Sequence, residues 1–429
     1  MDILRKGDRL LVEGSAGTGK TFLLKHLVRG LRDRLPGFRK IVCSAPTNKA
    51  VSVLQEKVGD EFDNVVFSTL HQSLKIRKVT DDRTGKSEFK PVYTEKNRPF
   101  IGVGAIIVDE ASMVDFQRHL DLEYHADYMN VKVILVGDYK QLPPVGEDIS
   151  TVFLGKPHAT GEEDEEGRPV YRYEPYPTIS LLEIVRQGEG NPIIELSRNL
   201  KDIWTYRDKL MGTERKGYIH SRDSEKVVMT LAQVNGTDEL KYLGYTNRDV
   251  DRLNDKVRRT IYGNPRKVEP GESIIFNSPY LDMYYTNQEL RIETVEVKEQ
   301  HFSLPFKDTY DKVKLKVYVL NGHEIDGGFA GVYVIHEEDD KKLRTLAVQL
   351  KRYCAERRML YSDRDMFLSQ FADIKYNHAL TVHKSQGSTF KQTIVNINGI
   401  NVNRNESERE KMFYTAVTRA SDLLILYTQ

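Results

Sequence analysis

At 429 residues and 49.5 kDa the chain exceeds what one hydrophobic core supports, so two or three domains are expected. Hydrophobic residues at 39% and charged residues at 30% exclude wholesale disorder, and 64 Lys/Arg against 63 Asp/Glu leave a formal net charge of +1. Any nucleic-acid surface must then come from local placement of charge. Two cysteines, Cys43 and Cys354, exclude a disulfide scaffold and cannot by themselves build a zinc site. No run approaches the ~18 apolar residues of a membrane span, and MDILRKGDRL at the amino terminus lacks a signal-peptide core. A soluble cytoplasmic protein with no membrane partner is expected.

Short apolar runs followed by a turn and helical periodicity predict buried parallel strands at Arg9–Val12, Lys40–Cys43, Ala105–Val108 and Val131–Val136. Between Leu74 and Phe100, two alternating segments flank DDRTGK and predict a β-hairpin. Five Lys/Arg from Lys75 to Lys86 make it basic. GEEDEEG (161–167) reads as a solvated connector, the tyrosines of YRYEPY (171–176) as packing residues, and Trp204 as a helical core residue. The strand pattern resumes at Glu239–Tyr245, Gln392–Ile397 and Leu423–Tyr427, giving a second α/β domain. From about Arg291 to Asp373, alternating pieces such as KLKVYVLNG and GVYVI fit a small antiparallel barrel inserted into that domain.

GSAGTGKT (14–21) satisfies the phosphate-loop pattern in the strand–loop–helix setting the pattern requires. Gly14, Gly17 and Gly19 let the backbone curl, and with Thr18 they turn its N–H groups toward phosphates at a helix N-terminus. Lys20 adds a point charge, and Thr21 offers a hydroxyl to Mg²⁺. AIIVDEAS (105–112) ends a strand in two carboxylates: Asp109 to hold the ion through its water shell, Glu110 to polarise the attacking water. In VILVGDYKQLPPV (133–145), Gln141 has the amide needed to donate to a γ-phosphate and accept from water. The set commits the chain to nucleoside triphosphate hydrolysis.

The order of these motifs resembles superfamily 1 helicases of the RecD/Dda-like 5′→3′ branch, with the size and compact insertions of Dda-type members. The resemblance covers nearly the whole chain. Beyond the three segments above it rests on APTNKA (45–50), STLHQSL (68–74), EIVRQ (183–187), YTNRDVDRLN (245–254), ALTVHKSQGSTF (379–390) and YTAVTRA (414–420). It implies an α/β fold of two RecA-like P-loop domains in tandem, with ATP and Mg²⁺ as cofactors. Residues 1–73 and 101–176 would form the first domain, and 177–290 with 374–429 the second. Residues 74–100 would be the wedge hairpin and 291–373 an SH3-like insertion. Arg186 and Arg419 become arginine fingers.

By the same resemblance Pro46, Thr47, Asn48, Thr69, His71, Thr246, Asn247, Thr381, His383 and Lys384 line a groove for single-stranded DNA. Their side chains suit phosphate and sugar and carry no base code. Phe89 or Tyr93 would meet the fork, a choice that hairpin register leaves open. His378 and His383 lack the carboxylate or thiolate company of a metal site. Expected partners are single-stranded DNA, duplex forks and a single-stranded-DNA-binding or replication protein, with the chain acting as a monomer in replication or recombination. An RNA-directed motor, or an ATPase that remodels protein–DNA complexes without unwinding, stays open as an alternative. One departure stands out: family members carry an adenine-reading glutamine upstream of the phosphate loop, whereas the first glutamine here is Gln55. Nine residues follow Ala420, so no accessory C-terminal domain is expected.

Overall fold

A computed structural model describes residues 8–37, 39–59, 62–182, 192–198, 200, 211–213, 216–237, 239–281, 283–304, 306, 311–324 and 331–428. These fall into two compact units. The first comprises Met1–Arg77, Pro91–Arg222 and Ser385–Thr428; the second comprises Lys78–Lys90 and Asp223–Lys384. Arg186 and Trp204 lie outside the described residues.

The first unit is built on a six-stranded parallel sheet. Its strands run in the order Thr178–Leu181, Arg9–Gly14, Lys132–Gly137, Val103–Val108, Lys40–Ala45, Val65–Thr69. Every residue of Val103–Val108 is buried, as expected for a central strand covered on both faces. Alternate residues feed opposite cores. Val42, Ile106, Val108, Val133 and Leu135 pack with Leu122 and Ala126 of the helix Phe116–Met129. Ile41, Cys43, Ala105, Ile107 and Ile134 pack with Leu24 and Val28 of the helix Lys20–Arg32 and Leu54 of Asn48–Val58. Cys43 is therefore a core residue, and burial pushes its thiol up to about 12. The two outermost strands, Val65–Thr69 and Thr178–Leu181, are only half-buried.

The same unit carries a ribbon of Lys156–Glu163 and Pro169–Glu174 whose tip is the exposed acidic segment. Tyr176 is buried, with its hydroxyl bonded to His119 and Glu123. Three further strands, Lys216–Ser221, Ala420–Tyr427 and Phe390–Asn396, pair in parallel and are accompanied by the helix Glu406–Val417. In the second unit, Leu240–Gly244 and Ala379–Thr381 pair in parallel, with the helices Ser224–Val234 and Asn247–Tyr262.

The second unit also holds an antiparallel five-stranded sheet. Its order is Val332–Ile335, Lys312–Glu324, Glu289–Ser303, Ser273–Phe276, Ile374–Tyr376. The sheet reaches beyond 291–373 on both sides, and two helices, Glu337–Ala355 and Tyr361–Leu368, lie in the chain between its strands Val332–Ile335 and Ile374–Tyr376. Four acidic residues, Glu337 to Asp340, occupy the first turn of the longer helix, where they favour the positive end of its dipole. Ile76–Thr80 and Ser87–Pro91 pair as the expected hairpin. Among the described residues no helix is long and apolar enough to cross a membrane.

Candidate nucleotide site

The Arg9–Gly14 strand ends at Gly14, where the backbone turns so tightly that a Cβ would lie 2.5 Å from the Thr18 hydroxyl. Gly17 at φ 82° and Gly19 at φ 79° adopt left-handed conformations that other residues take at a cost. The Thr18 hydroxyl donates to the Ser15 carbonyl at 2.9 Å. The helix Lys20–Arg32 starts directly after Gly19, with its unpaired first-turn N–H groups next to the loop. Lys20 folds back on the loop and donates to the carbonyls of Gly14 (2.7 Å) and Ser15 (3.0 Å). Thr21 lies in the first helical turn, and its hydroxyl falls outside the described atoms.

Gly17, Lys20, Asp109, Glu110, Gln141 and Arg419 come together around one cavity of ≈ 360 Å³. Asp109 sits at the carboxyl end of the Val103–Val108 strand, its N–H donating to Ser44 and its carboxylate accepting from the Glu110 N–H at 2.9 Å. Burial, and next the Glu110 charge, push its carboxyl up to about 6. Glu110 has φ 52°, a left-handed conformation unusual for a non-glycine residue. Its Oε2 and the Oε1 of Gln141 are buried without a hydrogen-bond partner among the described residues. Such atoms ordinarily find partners, so both mark places where a ligand or its water belongs.

Arg419 is buried, donating from Nε to Thr415 (3.0 Å) and from Nη1 to the Ser388 carbonyl (3.0 Å). An amine, a guanidinium, two carboxylates and an amide around a loop of backbone N–H groups suit a polyphosphate with a divalent cation. Among the described residues no cluster of three or more His, Cys, Asp or Glu could cage a metal by itself. Asp109 and Glu110 on the cavity wall suit Mg²⁺, which keeps its waters and binds through one or two carboxylates and substrate phosphates. Two residues not singled out from the sequence hold the Gln141 loop. Thr415 accepts from the Leu142 N–H at 3.0 Å, and Gln386 donates to the Leu142 carbonyl at 2.9 Å.

The residues expected to track a strand share a local geometry in each unit. In the first, Thr47 follows Pro46 at the end of Lys40–Ala45 and caps the helix that Asn48 begins. Thr69 caps Leu70–Ser73 through a reciprocal box with Gln72. His71 lies 3.5 Å from Arg118, and burial with that positive charge lowers its pKa. In the second unit Thr246 caps the helix that begins at Asn247, accepting from the Asp249 N–H. Buried Thr381 accepts from the Lys384 N–H, and Lys384 donates to Asn277 at 2.9 Å; His383 occupies the same short turn. Thr47, Thr69 and Thr246 thus each open a helix at the carboxyl end of a parallel strand, where backbone N–H groups present partial positive charge.

Phe89 is 60% exposed on the hairpin, whereas Tyr93 packs edge-on against His125. Within the second unit the hairpin tip is fastened to the Tyr361–Leu368 helix. Thr80 donates to Asp365 at 2.8 Å, Asp82 accepts from the Ser362 N–H at 2.8 Å, and the Tyr361 ring covers Gly85, where a Cβ would lie 2.3 Å from it.

Residues 3–147 match the AAA-domain family and residues 376–427 the UvrD-like helicase C-terminal domain. An uncharacterised protein of Acanthamoeba polyphaga mimivirus is 23% identical, over 96% of this chain and 93% of that one. The ATP-dependent DNA helicase Dda of Enterobacteria phage T4 is 25% identical over 66% of this chain, and the match spans 59% of Dda. The crystal structure of Pif1 helicase from Candida albicans shares the fold, with a TM-score of 0.51 at 18% identity, covering 99% of this chain and 92% of that one.

Proposed function

We propose that this chain, which belongs to the Pif1/RecD/Dda branch of superfamily 1 DNA helicases, hydrolyses ATP to move 5′→3′ along single-stranded DNA and separates duplex strands. The observation that carries the reading is the convergence of Lys20, Asp109, Glu110, Gln141 and Arg419 on one cavity beside the phosphate loop. Lys20 leaves its two carbonyl partners for the β- and γ-phosphates, and Arg419 neutralises charge that develops on the γ-phosphoryl group. Glu110 orients and deprotonates the attacking water, and Gln141 bridges that water and the γ-phosphate through its unpaired oxygen and its amide N–H. Mg²⁺, held by Asp109 and the Thr21 hydroxyl, would supply charge neutralisation between the phosphates. Arg186 is assigned a second finger role on its EIVRQ setting alone.

The strand track consists of Pro46, Thr47, Asn48, Thr69, His71, Thr246, Asn247, Thr381, His383 and Lys384. Helix N-termini behind capping threonines suit phosphates and leave the bases unread, which supports sequence-independent binding. Residues 1–73 with 101–176 and 177–290 with 374–429 act as the two RecA-like domains, 291–373 as the SH3-like insertion and 74–100 as the wedge. Exposed Phe89 on that hairpin meets the fork. Two partial duplexes, one with a 5′ and one with a 3′ single-stranded tail, test the whole reading. Unwinding from the 5′ tail alone is expected; DNA-stimulated hydrolysis without unwinding would make the protein a translocase or remodeller.

A further inference from the structure

We infer that Tyr414 is a positioning residue that ties the phosphate loop to the Gln141 loop, so that both move as one unit during hydrolysis. The inference rests on the ATPase reading above. Tyr414 is buried on the last turn of the Glu406–Val417 helix. Its hydroxyl accepts from the Ala16 N–H of the phosphate loop at 3.1 Å and donates to Asp138 Oδ2 at 2.7 Å. One oxygen atom therefore links the two loops.

Asp138 is the far half of the link. It is 1% exposed, and its Oδ1 accepts from the Lys140 N–H at 3.1 Å while its carbonyl accepts from the Gln141 N–H at 3.1 Å. The carboxylate that Tyr414 holds thus sets the turn from which Gln141 projects. The bond from a hydroxyl to a buried carboxylate is of the stronger, charge-assisted kind. Burial and the Asp138 charge keep the phenol protonated, so it stays a donor across the working pH range. Thr415 grips the same loop one residue past Gln141, but it makes no bond to the phosphate loop in the described structure. Tyr414 bonds to both.

The chemistry needs this link because an amide that positions water loses its effect when misplaced by about 1 Å. Removing the hydroxyl leaves the phosphate loop and nucleotide binding in place and frees Gln141 relative to them. Tyr414→Phe keeps the ring and its packing and deletes only the bridging oxygen. We expect kcat for DNA-stimulated ATP hydrolysis to fall roughly 10- to 100-fold, the range of one charge-assisted hydrogen bond. KM for ATP should stay within about threefold, since ground-state binding is untouched.

A purely structural tyrosine is separated by a double-mutant cycle with Gln141→Ala, read in single-turnover hydrolysis. If Tyr414 acts through Gln141, adding Tyr414→Phe to Gln141→Ala changes the rate less than about twofold. Asp138→Ala, which removes the other end of the bridge, should show the same kcat loss and the same non-additivity, and it carries the test should Tyr414→Phe not fold. Wild-type kcat in Tyr414→Phe, or full additivity with Gln141→Ala, overturns the inference. Absence of hydrolysis by the wild-type protein would instead overturn the ATPase reading on which it rests.

Discussion

Lys20 Nζ donates to the Gly14 carbonyl at 2.7 Å, so the phosphate-loop lysine is held by the strand end that launches its own loop. A half-buried ammonium needs partners, and here backbone carbonyls supply them. The loop is thus shaped in part by its own lysine.

Lys20→Ala removes both the partner of those carbonyls and the charge that the proposed mechanism sets against the phosphates. Hydrolysis should fall by at least about 10²-fold, comparable with loss of one preorganised electrostatic contact. Binding of a fluorescent single strand, followed by anisotropy, should stay within about threefold, because the capping threonines lie in other loops. Loss of strand binding would contradict separate nucleotide and strand sites.

Arg419→Lys should not rescue Arg419→Ala. The guanidinium bonds Thr415 and Ser388 from two different nitrogens while lining the cavity, a fork that an ammonium cannot copy. Both variants should lose about 10³–10⁵ in turnover, the range seen for arginine fingers. Steady-state ATPase with saturating single strand measures it, and near wild-type turnover in either variant would remove Arg419 from the chemistry.

The hairpin tip should matter for strand separation and not for ATP consumption. Asp365→Ala deletes the acceptor of the Thr80 hydroxyl, and Gly85→Ala drives a methyl group into the Tyr361 ring at a position with φ 69°. Each should cost about 1–3 kcal/mol of anchoring and lower the unwinding rate roughly tenfold. Phe89→Ala should do the same by removing the exposed ring. DNA-stimulated ATPase, measured in parallel, should change less than twofold by order of magnitude. Equal loss of both activities would show that the hairpin serves the motor itself.

His378 gives the protein an acid-sensitive interior. It is fully buried, neither ring nitrogen has a partner among the described residues, and burial with the Lys241, Arg258 and Arg291 charges lowers its pKa to about 3. The unfolded imidazole takes up a proton near pH 6.5 and the folded one does not, so stability is present above that value and is lost as pH falls. Between pH 7 and 5 the loss should be about 2 kcal/mol from this residue. His378→Leu removes the titrating group, so the shift in urea midpoint between those two pH values should shrink. An unchanged shift would place the acid sensitivity elsewhere, with buried His119, lowered to about 4 by burial, as the next residue to replace.

Much of the nucleotide site is legible in the chain because its chemistry is contiguous. A strand, a glycine loop and a helix follow one another from Arg9 to Arg32, and a buried apolar strand runs straight into Asp109 and Glu110. Backbone curvature, helix polarity and sheet-edge placement are all properties of neighbours in sequence. The hairpin from Ile76 to Pro91 is readable for the same reason: alternation and a turn suffice. Edge strands such as Val65–Thr69 and Thr178–Leu181 stay hidden, since each is short and only half-buried.

What tertiary structure alone decides is which distant groups meet. Tyr414 and Ala16 lie 398 positions apart and Tyr414 and Asp138 lie 276 apart, so no local pattern marks the bridge between them. The fastening of Thr80 to Asp365 spans 285 positions and has no signature in either segment. Motif chemistry depends on residues close enough in sequence to share one turn of backbone. Coupling between loops depends on a single oxygen placed by the packing of a whole helix, and only the folded chain specifies where that atom lies.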